Sequence, residues 1–307
     1  MNTTVVLNGK LVEISQKYPF RIGLISDLHV GAQHGLLPID FCDKYGLGYK
    51  MNRGQIKLWE YYNQFIKKLK EFKVNTLIVL GDVVSGKNVK ELGTYIIGTD
   101  LQMQMQAAVE TLGYLIKNVP TIEKVIILRG TPYHGSKDTL VEENIANKLT
   151  LNYKVNAEYG GEYLYLNLKY NGKMKTLWLA HPATGAMVYP ETSLGRDIGQ
   201  FLQAQATGKL PKVDMIIRAH RHEFIELHKS SIRYMVLPCW QFYVPYDKAV
   251  EWYSKWQPDI GGAILLADEE VRLRPLHFTY PNVVDPERFI IFNSKNDPYK
   301  VENKCLS

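Results

Sequence analysis

The chain has 307 residues, 46% of them hydrophobic and 22% charged, which excludes a disordered or collagen-like polymer and leaves enough apolar side chain for a sizeable core. With 37 Lys and Arg against 31 Asp and Glu, the net charge of +6 favours anionic partners mildly, without the clustered basicity of a nucleic-acid-binding arm. Three cysteines, Cys42, Cys239 and Cys305, are too few and too scattered for a disulfide framework or a C-x-x-C zinc site, so a reducing compartment is expected.

In chain order, TVVLNGKLVEI predicts a hairpin around Asn8-Gly9, and Arg21 to Ile25 predicts a short buried strand. A turn-rich stretch, Gly31 to Asn52, precedes a helix from Gln55 to Phe72, whose apolar Leu58, Tyr62, Phe65, Ile66 and Leu69 recur at three and four. Thr76 to Leu80 and Val125 to Leu128 read as buried strands, with a helix over Thr99 to Lys117 between them and another over Thr139 to Leu149 after them. This alternation predicts a parallel sheet with its ligands at the carboxyl ends of the strands.

The second half changes character. Tyr163 to Tyr170 and Lys175 to Ala180 flank the hairpin signal Asn171-Gly172, a helix is predicted over Ser193 to Thr207, and Met215 to Arg218 is a short strand. Phe224 to His228, Ile232 to Leu237, Gly262 to Ala267 and Val271 to Pro275 read as antiparallel strands. The expectation is two packed sheets with helices outside, in one domain over residues 1–286, followed by a tail over 287–307. No apolar run approaches the ~20 residues of a bilayer span, and the start lacks a secretory leader, so a soluble cytoplasmic protein with no membrane association is expected.

Five segments share one feature: an apolar strand runs out and the next residues are Asp, His or both. They are Asp27-x-His29, Gly81-Asp82, Gly130-Thr131-Pro132-Tyr133-His134, Ala180-His181 and His220-x-His222, and they hold five of the eight histidines. Residues two apart on a strand share a face, so Asp27 with His29, and His220 with His222, are each expected to reach one point. Carboxylate plus neutral imidazole suits borderline divalent transition metals. Taken singly, each histidine reads as well as a packed or capping residue, and Asp82 as a turn residue. Their joint occurrence at strand ends favours a two-metal centre.

This order of motifs resembles the calcineurin-like metallophosphoesterase superfamily, over roughly residues 20 to 275. The wording of Arg129 to His134 and Ile217 to His222 is similar to uncharacterised members from phage and mobile-element genomes. The resemblance implies a four-layer α/β/β/α sandwich with a binuclear site. One ion would be held by Asp27, His29 and His222, with Asp82 bridging to a second held by His181 and His220. It also implies two divalent cations, manganese ahead of iron, zinc or nickel, and hydrolysis of a phosphate ester by a metal-bridged hydroxide.

Two departures from the family pattern stand out. Thr131 occupies the place of a metal-binding Asn, a poorer ligand there, and His134 is displaced by two residues. His134 is expected near the leaving group as acid or phosphate contact, with metal ligation as the alternative. Ala219 replaces a glycine.

The expected activity is that of a phosphodiesterase or nuclease, with nucleic acid or a nucleotide as the substrate. The alternatives are a phosphomonoesterase and a catalytically weak binding or scaffold protein on the same fold. Arg129 and Arg218 read equally as phosphate contacts or as residues that point away, and His34 reads as a solvated loop residue. The aromatic run from Trp240 to Trp256 reads as core or subunit interface ahead of a base-stacking rim, and so leaves a homo-oligomer open. The loop from Gly31 to Tyr49, with Phe41, Tyr45 and Tyr49, is the expected substrate-shaping element.

Overall fold

A computed structural model describes residues 4–7, 10–13, 17–87, 93, 95–135, 140–183, 190–229, 231–242 and 257–281. The predicted N-terminal hairpin pairs β1 (Thr4–Leu7) antiparallel with β2 (Lys10–Glu13). β3 (Phe20–Ile25), β4 (Thr76–Leu80), β5 (Lys124–Leu128) and β6 (Asn156–Tyr159) form a parallel run. Between these strands lie α1 (Arg53–Glu71), α2 (Leu101–Asn118) and α3 (Val141–Tyr153). β7 (Tyr163–Tyr170) and β8 (Lys173–Ala180) make a hairpin, and α4 (Pro190–Ala206) leads to β9 (Met215–Arg218). Two further hairpins follow, β10 (Ile225–Lys229) with β11 (Ile232–Val236) and β12 (Ile260–Ala267) with β13 (Leu273–Tyr280).

These strands build a six-stranded sheet in the order β13-β12-β3-β4-β5-β6 and a five-stranded sheet in the order β10-β11-β9-β8-β7. Period-two alternation divides their side chains between layers. Leu77, Val79, Val125 and Ile127 face α1, α2 and α3, whereas Ile78, Leu80, Ile126 and Leu128 face the second sheet and meet Leu177, Leu179, Met215 and Ile217. On the far side, Ile216, Tyr234 and Val236 pack on Leu194, Ile198 and Phe201 of α4. The order of layers is helices, sheet, sheet, helix, as expected from the motif resemblance.

Three expectations need correction. The four late strands do not form one antiparallel set: β11 runs parallel to β9, and β12 leaves the second sheet to pair antiparallel with β3. The last strand starts two residues later and runs to Tyr280, because Val271 takes a left-handed φ of 56° in the turn. β6 was not anticipated, since Asn-Ala-Glu-Tyr is half exposed and has no apolar run for periodicity to detect.

Helix starts tie the fold to the strand ends. Asn52 caps α1 in a capping box with Gln55, and the Gln55 amide also donates to Ala32 O at 3.2 Å, fastening the loop after β3. Of the aromatic run, Trp240 and Phe242 are buried in the core. Trp240 packs edge-on against Tyr62 with ring centroids 5.1 Å apart, while Tyr243, Tyr246, Trp252, Tyr253 and Trp256 lie outside the described residues, as does the tail. No helix among the described residues is long and apolar enough to cross a membrane.

Leu24 sits fully buried between the sheets. Leu24→Ala should cost ~2–5 kcal/mol in a urea denaturation, and an unchanged midpoint would contradict the packed inter-sheet layer.

Candidate metal centre

β3, β4, β5, β8 and β9 all end on one rim, where the two sheets meet. Just past those ends the backbone departs from extended geometry: Asp27, His29, Asp82, His220 and His222 have φ of 51°, 44°, 45°, 73° and 58°. Left-handed conformations are uncommon outside glycine and cost ~1–3 kcal/mol each, so a cluster of them marks a place held by its surroundings. The convergence therefore does not arise from two-residue alternation along extended strands, as the sequence reading supposed. The turns themselves aim the side chains. Backbone bonds lock the turns together: Asp27 N–H donates to Gly81 O at 3.2 Å, His29 N–H to Asp82 O at 3.1 Å and Trp240 N–H to Asp27 O at 2.9 Å.

Asp27 and Asp82 are both buried, and each has one oxygen tied by a backbone donor. Asp27 Oδ2 accepts from His220 N–H at 3.2 Å, and Asp82 Oδ1 accepts from Thr131 N–H at 2.6 Å. The other oxygens face imidazoles. Asp27 Oδ1 lies 3.2 Å from His222 Nε2, 3.7 Å from His29 Nε2 and 3.8 Å from His181 Nε2. Asp82 Oδ2 lies 3.0 Å from His181 Nε2, 3.9 Å from His220 Nδ1 and 3.9 Å from His134 Nε2. His29 Nε2 and His222 Nε2 are 3.1 Å apart.

Burial opposes charge on both carboxyls, but the neighbouring imidazoles outweigh it. His181 and His222 hold Asp27 well below the usual carboxylate range, and His181 with His220 does the same for Asp82. The reciprocal pull of Asp82 and Asp27 overcomes the burial of His181 and raises it to about 9, whereas burial and the neighbouring His134 lower His29 to about 4.

Potential ligand atoms fall into three overlapping groups, each within 4.8 Å: Asp27, Asp82, His181 and His220; Asp27, His29 and His222; and His29, Asp82 and His134. Buried Asp27 Oδ1 and His181 Nε2 have no aligned hydrogen-bond partner, although buried polar atoms are normally paired. Carboxylate and imidazole atoms that crowd one another without an aligned hydrogen bond for each form a donor set that fits a divalent transition metal.

The structure thus brings together Asp27, His29, Asp82, His134, His181, His220 and His222. Thr131 is adjacent, and its hydroxyl lies 3.1 and 3.2 Å from the two Asp82 oxygens as a hydrogen-bond donor. Arg129 turns away to Glu162 at 2.9 Å, and Arg218 stacks 3.9 Å over the Trp178 ring beneath α4. His34 belongs to none of the three groups; its ring lies beside Tyr95.

Sequence reasoning missed the supports. Buried Glu142, at the start of α3, accepts from Gly130 N–H at 3.2 Å. Asp259 holds the His222 turn, donating its N–H to His222 O and accepting from Phe224 N–H, both at 2.8 Å. Neither residue adjoins a motif with a recognisable spacing, so the sequence carries no signal for them.

No protein-family model and no curated sequence matches the chain. Solved structures with a similar outline include a novel archaeal phosphodiesterase, at 12% identity over 84% of this chain and 100% of that one, TM-score 0.40. Others are YfcE, a phosphoesterase from E. coli (13% identity, 84% and 98% covered, TM-score 0.39), and Vps29 from Entamoeba histolytica complexed with zinc (10%, 85% and 99%, TM-score 0.38). These are likenesses of general outline. The fold stands on its two sheets and flanking helices, and the chemistry on the geometry of the site.

Gly130 is required by close approach: a Cβ there would lie 2.2 Å from both Asp82 N and Asp82 Oδ1. Gly130→Ala should destabilise the fold by ~1–3 kcal/mol in chemical denaturation. Wild-type stability would show that the β4 and β5 ends do not pack in this way.

Proposed function

We propose that the chain is a divalent-metal-dependent phosphoric ester hydrolase with two ions in this cluster. One observation carries the reading: two buried carboxylates, each with one oxygen fixed by a backbone N–H, turn their free oxygens into a ring of imidazole nitrogens. Asp27, His29 and His222 would hold one ion, and Asp82, His181 and His220 the other. Asp27 belongs to both of the corresponding groups, so it stands beside Asp82 as a candidate for the bridging role. Bound cations there would supply positive charge to the phosphoryl oxygens and acidify water at neutral pH.

The chain's own residues prepare that chemistry. Thr131 and the His220 backbone orient the two carboxylates, so that their remaining oxygens are presented to the imidazoles. His181 Nδ1 lies on Leu80 O, which fixes the ring with Nε2 toward Asp82. His220, half-exposed at the rim, marks the open side from which an ester would approach. Manganese is the first candidate ion. Phosphodiesters, including nucleic acid, are the first candidate substrates, favoured by the net charge of +6 and by the exposed Tyr45 in the loop that follows His29.

The test is hydrolysis of bis-p-nitrophenyl phosphate by chelator-treated protein, with and without added Mn2+. Activity should depend on the metal, and Asp27→Ala and Asp82→Ala should each lower kcat/KM roughly 10³-fold or more, equivalent to ~4 kcal/mol. Chelator-insensitive turnover, or full activity of either variant, would refute the reading. A protein that binds metal yet hydrolyses no diester, monoester, DNA or RNA would instead be a binding protein on this fold. Single-stranded and duplex DNA, RNA, cyclic nucleotides and phosphomonoesters as parallel substrates would identify the class of ester.

A further inference from the structure

The β4 strand line offers carbonyls on either side of Asp82. His181 Nδ1 lies on Leu80 O, and His134 Nδ1 lies 2.8 Å from Ser85 O. A carbonyl only accepts, so Nδ1 carries the proton toward it in both rings, and Nε2 is the nitrogen that each ring has left to offer a cation. Both Nε2 atoms face the same acceptor, Asp82 Oδ2, at 3.0 Å for His181 and 3.9 Å for His134. The His134 separation is too long for a direct hydrogen bond and suits two ligands of one cation. An imidazole that donates one N–H to a backbone carbonyl and presents the other nitrogen outward is the usual pose of a metal-binding histidine.

The Ser85 carbonyl is itself firmly placed. Ser85 N–H donates to Val30 O at 2.9 Å. Buried Gln104 clasps the next residue through Gly86 N–H to Oε1 and Nε2–H to Gly86 O, both 2.8 Å. Gly86, at φ of +73°, allows the His134 backbone to close on this loop, since a Cβ there would sit 2.5 Å from His134 O. Thr131, by contrast, directs both its N–H and its hydroxyl to Asp82.

We propose that His134 is a direct metal ligand through Nε2, joining His29 at the first ion with Asp82 reaching that ion as the bridge, and that Thr131 serves as a clasp on Asp82 instead of a ligand. The assignment rests on the reading of the cluster as a metal centre. It replaces the expected acid role of His134 and the expected ligand role of Thr131.

The experiment is calorimetric titration of the full chain, freed of metal, with Mn2+, alongside Co2+ absorption spectra. The variants are His134→Ala and His134→Gln, which keeps a donor for Ser85 O should the alanine protein fail to fold. Wild type should bind two equivalents. The variants should lose at least tenfold in affinity for one of them, with an altered Co2+ spectrum, and the glutamine variant should keep the melting temperature of the metal-free wild type. Superimposable titrations and spectra would overturn the ligand role while leaving the metal centre intact. A wild-type chain that binds neither ion would remove the metal centre and this assignment with it.

Discussion

Two carboxylates buried within reach of the same imidazoles are the constraint around which the rest is arranged. An isolated buried carboxylate is costly, and two close together repel, so the site must gather positive charge or donors around Asp27 and Asp82. His181 answers both at once, with its Nε2 between Asp82 Oδ2 and Asp27 Oδ1. The left-handed turns at Asp27, His29, Asp82, His220 and His222 follow from the same demand, because extended strand ends would not bring these side chains to one point.

The fold supplies the leverage. Parallel strands β3, β4 and β5 end side by side in one sheet and β8 and β9 in the other, with Leu24, Ile78 and Leu80 packed against Leu177, Leu179 and Ile217 beneath the site. The ends of β4 and β5 close on each other through glycine: a Cβ on Gly81 would meet Gly130 Cα at 2.5 Å. The segment after β11 then binds the two halves of the site, since Trp240 N–H holds Asp27 O and Cys239 N–H holds the carbonyl of Asp259, whose own N–H holds His222. The site is thus a product of backbone hydrogen bonding as much as of the side chains that define it.

Strands with uniform apolar composition, such as Thr76–Leu80 and Met215–Arg218, and helices with clean three-four spacing, such as Arg53–Glu71, were legible from local pattern. The strand-end Asp and His residues were legible because their chemistry is distinctive and their order repeated the same context. What was not legible depended on long-range partners. The transfer of β12 to the edge of β3 brings Gly262 to a place where a Cβ would meet Phe65 Cζ at 2.7 Å and Leu24 O at 2.9 Å, and no local signal encodes it. The orientation of Arg218 toward Trp178 was decided by which face of β9 lies under α4. The pose of the His134 ring is fixed by a single carbonyl, Ser85 O, remote in sequence.

Whether Asp27 and Asp82 share a cation site can be read from anomalous X-ray scattering by crystals grown with Mn2+. Anomalous density should lie within bonding distance of Asp27 Oδ1 and Asp82 Oδ2. Crystals in which those oxygens contact only imidazole and water, with no anomalous peak between them, would contradict it.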